Sequence, residues 1–91
     1  MITPENIVRH ELIGLDVRVS DSSGKILLEG RVIDETRNML VIEKEDSEKK
    51  IPKEGNFFSF LLPESGEKVK VEGRIIVARP EDRIKKKFEK W

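Results

Sequence analysis

The side chains best suited to chemistry gather in the last thirteen residues, Arg79-Pro80-Glu81-Asp82-Arg83-Ile84-Lys85-Lys86-Lys87-Phe88-Glu89-Lys90-Trp91. On a helix, Arg83, Lys86, Lys87 and Lys90 fall at i, i+3, i+4 and i+7 and make one basic stripe. Ile84, Phe88 and Trp91 make a separate apolar stripe. Pro80 suits the first helical turn, Glu81 and Asp82 sit near the positive end of the helix dipole, and the lysines sit near its negative end. So short a helix is marginal alone in water. The spacing therefore predicts a helix over 79–91 that docks on a partner through Ile84, Phe88 and Trp91 and offers charge to a polyanion. A solvated, lysine-rich terminal helix is the plainer reading, and composition alone favours it.

Acid–base and nucleophilic chemistry finds little support. The chain has one histidine, no cysteine and no tyrosine. His10 beside Glu11 has the makings of a base with an orienting carboxylate, yet no nucleophile is paired with it. A capping, hydrogen-bonded or RNA-facing histidine fits better. Asp34 and Glu35 are adjacent, and neighbouring residues of a strand point to opposite faces. That is poor geometry for sharing a metal or a proton, and the expected role is local, with Asp34, Glu35 and Thr36 hydrogen-bonding across the hairpin to Arg37 and Asn38. With no glycine-rich phosphate loop either, the expectation is no catalytic residue, no metal site and no cofactor on this chain.

Charge is distributed unevenly. Eighteen basic and eighteen acidic residues cancel overall. Residues 1–73 nevertheless hold 11 basic and 15 acidic groups, net −4, and residues 74–91 hold 7 and 3, net +4. A neutral total argues against binding nucleic acid by charge alone, whereas the basic end is compatible with a local contact. Ninety-one residues make one domain that buries about 60–65% of its unfolded surface. Without cysteine there are no disulfides and no cysteine-ligated zinc. The 40% charged content and the lack of a secretory apolar region fit a cytoplasmic protein and are compatible with adaptation to heat. Phe57–Leu62 is the longest apolar stretch, too short to span a bilayer.

The elements that must position these groups read as follows. Thr3-Pro4-Glu5 starts a helix, and Ile7, Val8, Leu12 and Ile13 supply its apolar contacts up to Gly14. The period then changes to two. Leu15, Val17 and Val19 alternate with Asp16 and Arg18, and Asp21-Ser22-Ser23-Gly24 is turn chemistry. A long β run from Lys25 to Thr36 is interrupted by Gly30, where a bulge or bend is expected. Arg37-Asn38 is a two-residue hairpin loop in which Asn38 tolerates the left-handed region. Met39–Ile42 returns with both faces apolar, one against the core and one under the amino-terminal segment. Asp46-Ser47-Glu48 turns the chain, and Lys49–Lys53 is a short edge strand because Pro52 cannot donate to a ladder. Phe58, Phe60 and Leu62 alternate next. The last run is Val69, Val71, Gly73, Ile75 and Val77, with Gly73 at a bend. Val17, Val19, Val32, Leu40, Ile42, Phe58, Phe60, Val69, Val71, Ile75 and Val77 are expected inward.

Five or six short, bent antiparallel strands with helical ends predict an all-β fold, a small closed barrel. SH3-like, Sm-like and OB-type barrels all satisfy the pattern. The predicted organisation is a single domain over 1–91: an N-terminal helical extension (1–13), a β-barrel (14–78) and a C-terminal basic helix (79–91).

Several blocks resemble the archaeal ribonuclease P protein component 1 family, relatives of the eukaryotic subunit shared by ribonucleases P and MRP. They are Asn6–Gly14, Gly30–Asn38, Ile51-Pro52-Lys53, Val71–Arg74 and Ala78–Lys86, in family order. The resemblance implies a strongly bent Sm-like barrel of about six strands with helical extensions. It also implies an accessory subunit of the ribonucleoprotein that removes the 5′ leader from precursor tRNA. In that family the RNA subunit performs the chemistry with bound magnesium, and a zinc-ribbon protein subunit is the heterodimeric partner. The chain departs from the family in its short Asp21–Gly24 loop, in Met39 where relatives often have threonine, and in lacking the long amino-terminal extension of eukaryotic members.

On this reading RNA is held through Arg9, His10, Arg37, Asn38, Lys53, Arg74, Arg79, Arg83, Lys86 and Lys87. Phosphate contacts should dominate, since little aromatic surface is left for stacking. Ile7, Val8, Ile84, Phe88 and Trp91 are the expected protein-partner contacts, and the two ends should order only on assembly. Precursor tRNA is contacted indirectly and no membrane is involved. The alternative is a non-catalytic protein–protein adaptor barrel without direct RNA contact.

Overall fold

The structure is a computed structural model that describes Ile7 and residues 11–78. Six antiparallel strands, β1 (Asp16–Ser20), β2 (Ile26–Glu35), β3 (Met39–Lys44), β4 (Ser47–Pro52), β5 (Phe57–Leu61) and β6 (Lys68–Glu72), are followed by a 3₁₀ turn, Gly73–Ile76. They form one sheet in the order β4-β3-β2-β1-β5-β6. The sheet bends round a single core. Its edge strands β4 and β6 run out towards each other, and the backbone of Gly73 presses on the carbonyl of Lys53, leaving 1.7 Å for any Cβ at Gly73. The expected all-β, bent six-stranded barrel is what forms.

Strand β1 is central, pairing with β2 on one side and β5 on the other. Its alternation is the simplest in the chain, with Val17 and Val19 buried and Asp16 and Arg18 outward. Strand β2 serves two neighbours in succession: Ile26–Arg31 pairs with β1 and Arg31–Glu35 with β3. Gly30 stands at the crossover, where a Cβ would come within 2.3 Å of the Glu43 carbonyl oxygen. Glycine is required there by this close approach of backbones, while the strand's register irregularity against β3 lies beyond it, between Val32 and Asp34.

An irregularity between Val32 and Asp34 adds Ile33 as an unpaired residue. Strict alternation from the buried Val32 would point Asp34 inward. The extra residue exchanges the faces, so Asp34 is exposed and Glu35 is buried. Strand β3 is apolar on both faces, as expected. Leu40 and Ile42 belong to the core cluster, whereas Val41 is buried outside it.

Four expectations change. Strand β6 ends at Glu72, and the 3₁₀ turn at Gly73 shifts the phase by one, so Ile76 is 1% exposed in the core while Ile75 is 58% exposed. Val69 and Val77 are half-buried. Asn38 does not take the left-handed region. Among the described non-glycine residues only Glu45 does (φ 56), in the two-residue β3–β4 loop that Lys44↔Ser47 pairing closes. Residues 12–15 form a turn, with the Leu15 amide donating to the Leu12 carbonyl at 3.1 Å and Gly14 at φ 97, in place of the end of a helix. Finally, Ile7 is 2% exposed and packs in the barrel's own core with Leu12. It contributes to the fold and not to a partner surface. The rest of the predicted N-terminal helix and the helix over 79–91 lie outside the described residues.

Candidate nucleic-acid interface

The tip of the β2–β3 hairpin is fixed by its own short-range bonds. The Thr36 amide donates to the Met39 carbonyl at 2.9 Å, and the Thr36 hydroxyl accepts from the Met39 amide at 3.2 Å. The Asp34 carboxylate accepts from the Glu35 amide at 2.8 Å. A threonine hydroxyl closing the loop in this way is a common device of such turns. It leaves Arg37 and Asn38 exposed at the apex.

Lys53 is the residue for which the expected role fails. Its side chain is 0% exposed, so it cannot meet an RNA phosphate. The ammonium donates to the Glu35 carboxylate at 2.7 Å and to the Ala78 carbonyl at 2.9 Å. Its backbone amide donates to the Asn38 carbonyl at 2.8 Å. A buried ammonium needs a carboxylate and good hydrogen bonds to offset its lost hydration, and the Ile33 bulge turns Glu35 inward to meet it. Glu35 thus has a partner outside the hairpin, beyond the expected bonds to Arg37 and Asn38. Nothing in the sequence separates a Lys after Pro52 from a surface cation. The only available signal was the length of the β2 run against its partner.

Arg74 projects from the 3₁₀ turn, exposed, with its guanidinium donating to Glu72 at 2.8 Å. An ion pair in solvent is worth little and exchanges readily. Arg74 and Asn38 together with Met39, Pro52, Glu54 and Val77 line one open cleft of about 470 Å³. Arg37 is next to it at the hairpin apex. Ala78, where the described chain stops, is held by Lys53 just beyond Val77. Asn38 and Arg74 are thus brought together, with Arg37 the chain neighbour of Asn38. Arg9, His10, Arg79, Arg83, Lys86, Lys87, Val8, Ile84, Phe88 and Trp91 lie outside the described residues.

A second concavity of about 480 Å³ lies on the outer face of β1, β2, β5 and β6, between Asp16, Arg18, Glu29, Leu61, Lys68 and Lys70. Arg18, its one arginine, pairs with Glu29, and Arg31 close by in the chain is 3.5 Å from the lining Asp16, while Lys68 and Lys70 add two further cations. Both concavities mix cations and carboxylates, and the hairpin cleft is the better candidate because Val77 lines it, next to Ala78, after which the basic segment 79–91 follows. Among the described residues no three histidine or acidic side chains converge as a metal site would require.

A six-stranded antiparallel sheet bent round one core is a small barrel of Sm-like form. Comparison with known proteins agrees. Residues 5–86 match the family described as ribonuclease P/MRP, subunit p29. The chain is 53% identical over 92 residues to the ribonuclease P protein component 1 of Methanosphaera stadtmanae, covering 99% of this chain and 98% of that one. It is 55% identical to the protein of the same description from Methanothermobacter thermautotrophicus, covering 99% of each. A solved structure, Mth11, described as a homologue of the human RNase P protein Rpp29, superposes with a TM-score of 0.57 at 51% identity. That likeness covers 84% of this chain and all of the other. The chain belongs to the ribonuclease P/MRP subunit p29 family.

Proposed function

We propose that this chain, a protein subunit of ribonuclease P, binds and stabilises the catalytic RNA of that ribonucleoprotein through the hairpin cleft and the basic tail. The observation that carries the reading is the cleft shared by Asn38 and Arg74, close to Ala78, after which residues 79–91 hold 6 basic and 3 acidic groups, net +3. Cleavage of the precursor tRNA 5′ leader is assigned to the RNA subunit with its magnesium, and this chain contributes binding and architecture. A zinc-ribbon subunit is its heterodimeric partner, contacted through Val8, Ile84, Phe88 and Trp91. Precursor tRNA is reached indirectly, and the setting is the cytoplasm.

Filter binding of ribonuclease P RNA at several salt concentrations tests the reading. Neutralising four to six phosphates gives a slope of log K against log salt of roughly −3 to −5. An adaptor barrel without RNA contact would show only weak binding that salt abolishes.

A further inference from the structure

Lys53 does not touch solvent, yet each described candidate contact is within one residue of something it holds. Its amide holds the carbonyl of Asn38, beside Arg37. Its own carbonyl is pressed by the backbone of Gly73, beside Arg74. Its ammonium holds the carbonyl of Ala78, beside Arg79, and the carboxylate of Glu35 at the base of the hairpin. Stability alone gives little reason for such a pair, since well-packed apolar residues of similar volume do as well or better in most buried sites. A buried ion pair fixes direction, however, and an apolar pair does not.

We propose that Lys53 and Glu35 are positioning residues: a buried clasp that locks the chain exit at Ala78 to the base of the β2–β3 hairpin. Arg37, Asn38 and Arg74 are thereby fixed relative to one another. The clasp is set by the barrel, because the Ile33 bulge delivers Glu35 and the absent Cβ of Gly73 admits the Lys53 backbone. Its proposed benefit to RNA binding rests on the reading given above. The clasp itself is a geometric statement that can be judged without RNA.

The test uses the full chain and takes advantage of its lack of cysteine. Spin labels at Arg37→Cys and Ala78→Cys should give one narrow distance, unchanged in about 1 M salt because a fully buried pair is little screened. A broad distribution in the otherwise wild-type chain overturns the clasp with no further variant. Glu35→Leu/Lys53→Met removes both charges together, and in it the distance should broaden while unfolding stays cooperative. RNA affinity of this double variant should fall about tenfold, the weight of one or two phosphate contacts. In a chain already carrying Arg37→Ala and Arg74→Ala, the same double change should cost less than about twofold, as expected for groups acting together. Equal losses in both backgrounds would mean a generally weakened fold and would overturn the positioning role. If the wild-type chain fails to bind RNA, the RNA reading falls while the label distances still decide the clasp.

Discussion

The ammonium of Lys53 lies 2.7 Å from the carboxylate of Glu35, eighteen residues earlier, with both side chains fully shielded from water. Removing one member leaves the other charged in a site that cannot hydrate it. Lys53→Met or Glu35→Leu alone should therefore destabilise the fold by about 3–5 kcal/mol, and the two together by much less. Denaturant titration of the three variants checks this. Additive losses would show that the pair is not coupled.

Gly73 has a different dependence on Lys53. A Cβ there would stand 1.7 Å from the Lys53 carbonyl oxygen and 2.8 Å from the Phe58 ring. The backbone cannot yield as a flexible side chain would. Gly73→Ala should cost at least about 2–3 kcal/mol, more than the same change at the turn residue Gly66. Gly66 carries only a backbone penalty at φ 75, with open space around it. Thermal unfolding of both variants ranks them, and the reverse order would mean that β4 and β6 do not converge as described.

Glu45 at φ 56 is in a conformation unfavourable by about 1–2 kcal/mol for a residue with a Cβ. It is the first of two hairpin-loop residues, exposed, in a position where Asn or Gly is preferred. Glu45→Gly should raise stability by about 0.5–1 kcal/mol, part of the relief being offset by the greater freedom of glycine in the unfolded chain. A lower melting temperature would contradict the assigned turn.

Asp21 organises the β1–β2 turn. Its carboxylate accepts from the Ser23 hydroxyl at 2.6 Å, the Ser23 amide at 2.9 Å and the Lys25 amide at 3.0 Å. The Ser23 hydroxyl bond is the main cause of its pKa lying below the ordinary 3.8. A lowered carboxyl pKa stabilises the fold above the unfolded value, and the effect is lost as pH falls through the folded one. The stability gap between wild type and Asp21→Ala should thus be constant above about pH 5 and shrink below about pH 4. A gap that persists at lower pH would assign the effect to packing.

The chemistry of each strand was legible where local pattern decides it. Val17 and Val19 against Asp16 and Arg18 describe β1 without any tertiary information. The long β2 run with Gly30 announced a bend. Illegible were the features that depend on two distant segments. The Ile33 bulge reverses Asp34 and Glu35 because β3 pairs in one register, and Lys53 is interior because Gly73 leaves room for its backbone. Ile75 and Ile76 changed places for the same reason: β6 had to stop where it met Lys53. Of the candidate interface, Arg37, Asn38 and Arg74 were identifiable as exposed polar groups, while the meeting of Asn38 and Arg74 in one cleft was not.

The last prediction concerns how these three share the work with RNA. Arg37 stands at the hairpin apex, whereas the guanidinium of Arg74 is already bonded to Glu72. Only the Nε donor of Arg74 is occupied by Glu72, so a phosphate can reach the remaining guanidinium donors, but it meets the repulsion of the neighbouring carboxylate. Arg37→Ala should therefore weaken binding to ribonuclease P RNA more than Arg74→Ala, and should reduce the magnitude of the salt slope by about 1. Glu72→Ala should tighten binding by about twofold to fivefold at low salt, an advantage that fades as ionic strength rises. Filter binding of the three variants across a salt series provides the comparison. Weaker binding by Glu72→Ala would show that the carboxylate holds Arg74 in its binding pose, and an unaltered slope in Arg37→Ala would remove the hairpin apex from the interface.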